Sequence, residues 1–140
     1  MSGGALDYFS CADVIDKLTD VYIAGKNEHS KETLEIIKQT IDVLHKADIY
    51  AHRVEWYLSG DDGEESLKKR LEEDLKEYEA SNKEIPCIEP KCKYCIYFND
   101  LGKCTSVYNK KNKTDENDVC YEFKLDYDVK YKLMNGESLN

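Results

Sequence analysis

The sequence predicts a mainly α chain with a small β tail: an antiparallel three-helix bundle followed by a metal-stapled, four-cysteine β-hairpin module. Three observations lead there. Up to Tyr78, apolar residues recur at three- and four-residue intervals. After Ile85-Pro86 the pattern becomes short pieces rich in Tyr, Val, Ile and Phe, separated by turn residues. Five of the six cysteines lie between Cys87 and Cys120. The expected organisation is an acidic helical domain over 1–85 and a cysteine-bearing, metal-binding β-rich module over 86–140.

Each helix has a start and a stop signal. Ser10 offers a hydroxyl N-cap with Asp13 three residues on, a variant of the capping box. Val14, Leu18, Val21 and Tyr22 follow at helical spacing with Ile15 beside them, so a helix is expected over 11–24, ended by Gly25. Ser30 is the next N-cap, with Glu32 in the first turn, where a negative charge suits the helix dipole. Leu34, Ile37, Ile41, Leu44, Ala51, Val54 and Leu58 mark an apolar stripe along a helix over 31–59, stopped at Ser59-Gly60. Leu67, Leu71, Leu75 and Tyr78 give a third helix over 64–81. The expected core is Leu18, Val21, Leu34, Ile37, Ile41, Leu44, Val54, Leu58, Leu67, Leu71 and Leu75. Amphipathic helices joined by short loops pack antiparallel.

In the tail, short β pieces are expected at Tyr94 to Phe98, Cys104 to Tyr108, Val119 to Leu125 and Val129 to Leu133. Residues 109–118 form a polar loop. So few aliphatic residues cannot easily bury a core, and a structural metal would compensate.

Charge divides along the same line. Lys plus Arg number 20 and Asp plus Glu 29, a net charge of −9. Residues 1–85 hold 20 acids and 11 bases, while 86–140 hold nine of each, so the whole excess lies in the helical part. Such a surface repels nucleic acid and favours basic protein partners. Nucleic acid remains open for 86–140, where Lys103, Lys110, Lys111 and Lys113 lie near Tyr108, although Asp115, Glu116 and Asp118 blunt their field. No apolar run is long enough to cross a membrane. The opening MSGGALDYFSCAD has no basic stretch followed by an apolar one, so no secretory signal is expected and the chain is placed in the cytoplasm.

Without a secretory signal, clustered cysteines point to metal before disulfides. Cys92 and Cys95 are separated by two residues, which lets a tight turn aim both thiolates at one ion; Cys104 and Cys120 would complete a tetrahedral site. Cys87 is a substitute ligand. Zinc is the expected ion, with a [4Fe–4S] cluster as the alternative.

A second constellation lies on the long helix, where His45, Asp48, His52 and Glu55 are spaced three, four and three. A carboxylate beside an imidazole can move a proton or hold a metal, although polar residues so spaced also pair along a helix surface. The sequence has no Walker A loop, Rossmann glycine pattern, HExxH or Gly-x-Ser-x-Gly.

Two stretches carry a resemblance. The start, Ser2-Gly3-Gly4 with Asp7-Tyr8, and the segment from His52 through Glu55-Trp56 to Ser59-Gly60-Asp61 resemble small bacteriophage and prophage proteins. Those begin Met-Ser-Gly-Gly-Ser and carry a His-Asp-Ile-Glu-Trp segment ending in Ser-Gly-Asp; this chain departs at Ala5, Arg53 and Val54. The resemblance covers about residues 1–80. The cysteine run resembles another phage and bacterial module, Cys-x2-Cys-x-Tyr-Phe followed by Gly-x-Cys and Cys-x2-Phe. It is also similar to the high-potential iron–sulfur proteins, but with a shorter gap from Cys95 to Cys104 and with Asp118-Val119 where that family has Gly-Trp. The resemblance implies a phage or mobile-element origin and the cytoplasm of a bacterial host.

Three functional readings follow. The first is a non-enzymatic phage-type binding protein that engages a host protein's basic surface, with inhibition of a host defence system as its role. The second is a small-ligand or enzymatic site built from Gly3, Gly4, Asp7, His52, Glu55, Trp56 and Asp61, with residues 2–8 docked against the end of the long helix. The third is a nucleic-acid-binding zinc module in the tail.

Overall fold

The computed structural model describes residues 10–81, 84–99, 103–105 and 123–139. The chain is mainly helical: α1 (Ala12–Ala24), α2 (Lys31–Leu58), α3 (Glu64–Ser81) and a short α4 (Tyr127–Met134). It divides into two compact units, neither continuous in sequence. One contains Met1–Leu18 and Ile36–Glu84, the other Thr19–Glu35 and Ile85–Asn140.

The three long helices start and stop where their local signals lie. The Ser10 hydroxyl accepts the Ala12 amide at 3.2 Å. The Ser30 hydroxyl accepts the Thr33 amide at 3.2 Å, the N-cap bond expected of it. Gly25 follows the end of α1 at a position where nothing larger fits: a Cβ there would stand 2.4 Å from the Val21 carbonyl oxygen. Its own carbonyl accepts the amides of Glu28 and His29 as the chain turns toward α2.

In the first unit, α2 and α3 form an antiparallel hairpin. The Tyr78 hydroxyl on α3 donates to Asp42 on α2 at 2.8 Å, and the Tyr78 ring lies 5.3 Å from that of His45. Nearer the connecting turn, Arg53 pairs with Asp74. The N-terminal end of α1 is tied to the middle of α2 by the Cys11 amide, which donates to Asp48 at 2.9 Å. Among the described residues of this unit, Cys11, Ile15 and Ile41 are the buried apolar side chains. Leu67, Leu71 and Leu75 on α3 are half-buried.

The buried stripe of α1 is Cys11, Ile15, Thr19, Tyr22 and Ile23. It runs one residue out of phase with the expected one. Val14 and Ile15 are equally apolar, so periodicity alone could not choose between them; packing buries Ile15 and exposes Val14 and Val21. Val54 and Leu58, also expected in the core, are exposed, while Glu55 between them is buried.

In the second unit the segment after α3 returns to the end of α1. The Ile88 amide donates to the Ile23 carbonyl at 2.8 Å, and Lys130 on α4 lies 2.7 Å from Asp20. Cys92–Tyr94 form a single 3-10 turn. Among the described residues the β content is two isolated antiparallel bridges, Cys95 with Leu125 and Phe98 with Cys104. The β piece expected at Val129 to Leu133 is instead the core of α4. Asp126 caps that helix by accepting the amides of Asp128 and Val129, and this local bond outweighs the β preference of Val129 and Tyr131. The loop at 109–118 and the piece starting at Val119 lie outside the described residues, except for residues 123–125.

Candidate functional site

The segment from His52 to Asp62 is built around the way α2 ends. Gly60 takes φ +81°. Its amide donates to the Tyr57 carbonyl, and the Asp61 amide donates to that of Trp56 at 3.0 Å. This is the Schellman arrangement, which needs a residue without a Cβ in the left-handed region. The Ser59-Gly60-Asp61 motif is thus a helix stop.

That stop sets Asp62 beneath two guanidinium groups. The Asp62 side chain is 3% exposed; Oδ1 is 3.0 Å from Arg70 Nη1, and Oδ2 is 4.0 Å from Arg53 Nη1. Asp62 Oδ2 is buried and accepts no hydrogen bond among the described residues. Arg53 reaches α3, where Nε and Nη2 both donate to the Asp74 carboxylate. This bidentate bond raises the Arg53 pKa above its ordinary, already high value. The Arg53 guanidinium also lies 5.8 Å from the centre of the Trp56 ring, within cation–π range, and the His52 ring lies 5.4 Å from the same centre. A guanidinium gives up no proton near neutral pH, so the two arginines act as fixed charges that hold the turn.

Of the residues expected at this site, His52, Glu55 and Trp56 share the last two turns of α2. Glu55 is buried, His52 exposed and Trp56 half-buried. Asp61 sits exposed in the cap. Gly3, Gly4 and Asp7 lie outside the described residues, and with them the expected docking of residues 2–8. Sequence reasoning passed over Arg53, Asp62, Arg70 and Asp74. The available signal was Arg53, the one arginine of α2, with acidic residues abundant in the next helix.

The other polar set on α2 is divided among different neighbours. Asp48 accepts the Cys11 amide, while His45 stacks on Tyr78 of α3. Each is used in holding a helix. One turn from His45, Asp42 is paired with Lys46 at 3.0 Å and accepts the Tyr78 hydroxyl. The Lys46 ammonium first, then Tyr78, holds the Asp42 carboxyl below its usual pKa. Burial first, then the neighbouring carboxylate, pushes the Tyr78 phenol up to about 12.

Of the expected metal ligands, Cys92 and Cys95 lie at the start and just past the end of the 3-10 turn. The Cys95 side chain is buried, and its sulfur accepts the Lys124 amide at 3.4 Å. Cys104 is half-buried in its bridge to Phe98. Cys87 is exposed, with its sulfur 3.6 Å from the Tyr22 carbonyl oxygen. Cys120 lies outside the described residues. Among the described residues, no three His, Cys, Asp or Glu side chains converge on one point, and no helix is long and apolar enough to cross a membrane. Compared with known protein families, curated proteins and solved structures, the chain matches none.

Proposed function

We propose that this chain is a non-enzymatic, phage-type binding protein. It engages a host protein with a basic surface and acts as an inhibitor of a host defence system. The observation that carries this reading is the second half of α3. Glu72, Glu73, Asp74, Glu77 and Glu79 stand there against Lys76 alone, and the last turn of the helix has no basic residue. Glu77 and Glu79 therefore face the negative end of the helix dipole, at a cost of about 0.3–1 kcal/mol each. Glu72, Glu73, Glu77 and Glu79 are all exposed. A charge pattern that opposes its own helix is expected where another molecule supplies the compensating cations. The phage resemblance supports a bacterial protein as that molecule.

In the same reading the tail holds a structural metal, zinc before [4Fe–4S], through Cys92, Cys95, Cys104 and Cys120, with Cys87 as substitute. Two observations support it. Cys92 and Cys95 flank a tight turn, and the buried Cys95 sulfur is met by a backbone amide, as outer partners meet metal-bound ligands.

The test is capture from a bacterial host lysate on the immobilised full chain, beside the charge-reversed variant E73K/E77K/E79K. A basic-surfaced protein should be retained at low salt, lost at about 0.5 M salt, and absent from the variant. If both chains retain the same proteins regardless of salt, the acidic surface is not the binding site.

A further inference from the structure

We propose that the outward face of α2 is a self-association surface through which two copies of this chain pair with their α2 helices antiparallel. Residues 36–58 all belong to the first unit. Ile36, Val43 and Tyr50 follow one another at seven-residue intervals, with Thr40, Ala47 and Val54 each four residues further on. Alternating steps of four and three make a heptad seam, the pattern by which one helix packs along another. All six positions are exposed. Ile36 leaves 63% of its surface exposed, Val43 62%, Tyr50 48%, Val54 36%, and Leu58 on the flank 56%. These five are nearly half of the eleven large apolar residues exposed among the described residues, so they form a patch rather than scattered exposure.

The charge pattern selects a second copy as the occupant. Residues 36–58 carry three acids and three bases in a chain of net charge −9. All three acids are directed elsewhere: Asp42 to Lys46 and Tyr78, Asp48 to the Cys11 amide, and Glu55 into the interior. Lys46 and Arg53 flank the seam, each already paired with a carboxylate of its own chain. The face therefore offers an acidic or basic partner no free charge. It is also a place where two acidic molecules can touch without opposing carboxylates.

The spacing is self-complementary about position 45. Val43 and Ala47 lie two residues to either side, Thr40 and Tyr50 five, and Ile36 and Val54 nine. A two-fold axis there lays each member of a pair on its counterpart and sets the small Ala47 side chain against Val43 beside the crossing. At about 90 Å² per exposed side chain, the pair buries on the order of 1,000 Å² in all, the range of weak, reversible association. A dissociation constant on the order of 10 μM is expected. Since both copies are strongly negative, added salt should strengthen the pairing, the reverse of its effect on binding through the acidic helix.

The experiment is sedimentation velocity on the full chain from about 1 to 200 μM, at low and high salt, with V43K and Y50K as separate variants. The natural chain should pass from monomer to dimer mass, with the midpoint falling several-fold as salt rises. Each variant should stay a monomer while keeping the parent's helical circular dichroism and melting temperature. A monomer at every concentration overturns the proposal, as does a variant that folds normally and still dimerises like the parent. Binding to neutral lipid vesicles without self-association also overturns it, and assigns the face to a membrane surface.

Discussion

The α2–α3 hairpin and the tail use different means to hold a chain together. In the hairpin, two long helices are tied by side chains far apart in sequence, Asp42 with Tyr78 and Arg53 with Asp74, and the turn between them is held to α3 by Asp62 with Arg70. In the described tail the ties are mostly backbone bonds and a cap: Ile96 to Lys124, Asp126 to Tyr94, and the Asp126 cap of α4. Neither α3 nor α4 has a fully buried residue. The hairpin makes up for this with half-buried leucines and ion pairs, whereas the tail has little apolar area to call on. Where apolar burial is thin, charge pairing, and any metal the tail holds, carries more of the stability, and each can be tested separately.

The largest expected difference between the two regions comes from chelation. If the tail holds a metal, its binding energy is folding energy, on the order of 10 kcal/mol. A strong chelator should then make the Ile96 and Asp126 amides exchange freely while the α2 amides stay protected. Elemental analysis of protein purified without chelator, showing neither zinc nor iron, would exclude the metal.

Ile41→Asp is the counterpart for the hairpin. Ile41 is 2% exposed, so the change buries an unpaired charge. The cost should be about 3 kcal/mol or more, a fall of roughly 10 °C in the melting temperature. An unchanged melt would show that Ile41 is not a core residue.

Arg53→Met tests the ion-pair cluster. It leaves Asp74 without its bidentate partner and Asp62 with Arg70 alone. Part of the cluster is exposed, so about 2 kcal/mol is expected by denaturant titration. Asp126→Ala should cost about 1 kcal/mol, confined to α4 and read as faster exchange at the Lys130 amide.

The smallest effect is a pH dependence at the Asp42–Tyr78 contact. The folded-state pKa of Tyr78 is raised from about 10 to about 12, so its contribution is complete below pH 10 and lost as pH climbs to about 12. Asp42 is depressed, so its contribution is present above the ordinary carboxylate range and lost as acid protonates it. Both groups are partly solvated, which limits the effect to under about 1 kcal/mol. Tyr78→Phe should flatten the alkaline limb of the stability profile; an unaltered limb would assign it to other tyrosines.

The sequence by itself determined where the long helices begin and end. Helices expected over 11–24, 31–59 and 64–81 are found at Ala12–Ala24, Lys31–Leu58 and Glu64–Ser81. Those boundaries rest on caps and breakers acting over a few residues: Ser10, Ser30, Gly25 and Gly60. In the tail the same local physics misled, because a run containing Val129 and Tyr131 suits a strand until the Asp126 cap is seen. Only the tertiary structure decided which face of each helix is buried. Val14 and Ile15 compete equally in one dimension, and α2 has more apolar residues than its neighbours cover, so Val54 and Leu58 stay outside while Glu55 goes in. It also decided the Arg53–Asp62–Arg70–Asp74 cluster, whose members pair across the α2–α3 turn. Residues three or four apart on a helix meet by geometry alone, whereas Arg53 and Asp74, 21 residues apart, meet only after two helices have packed.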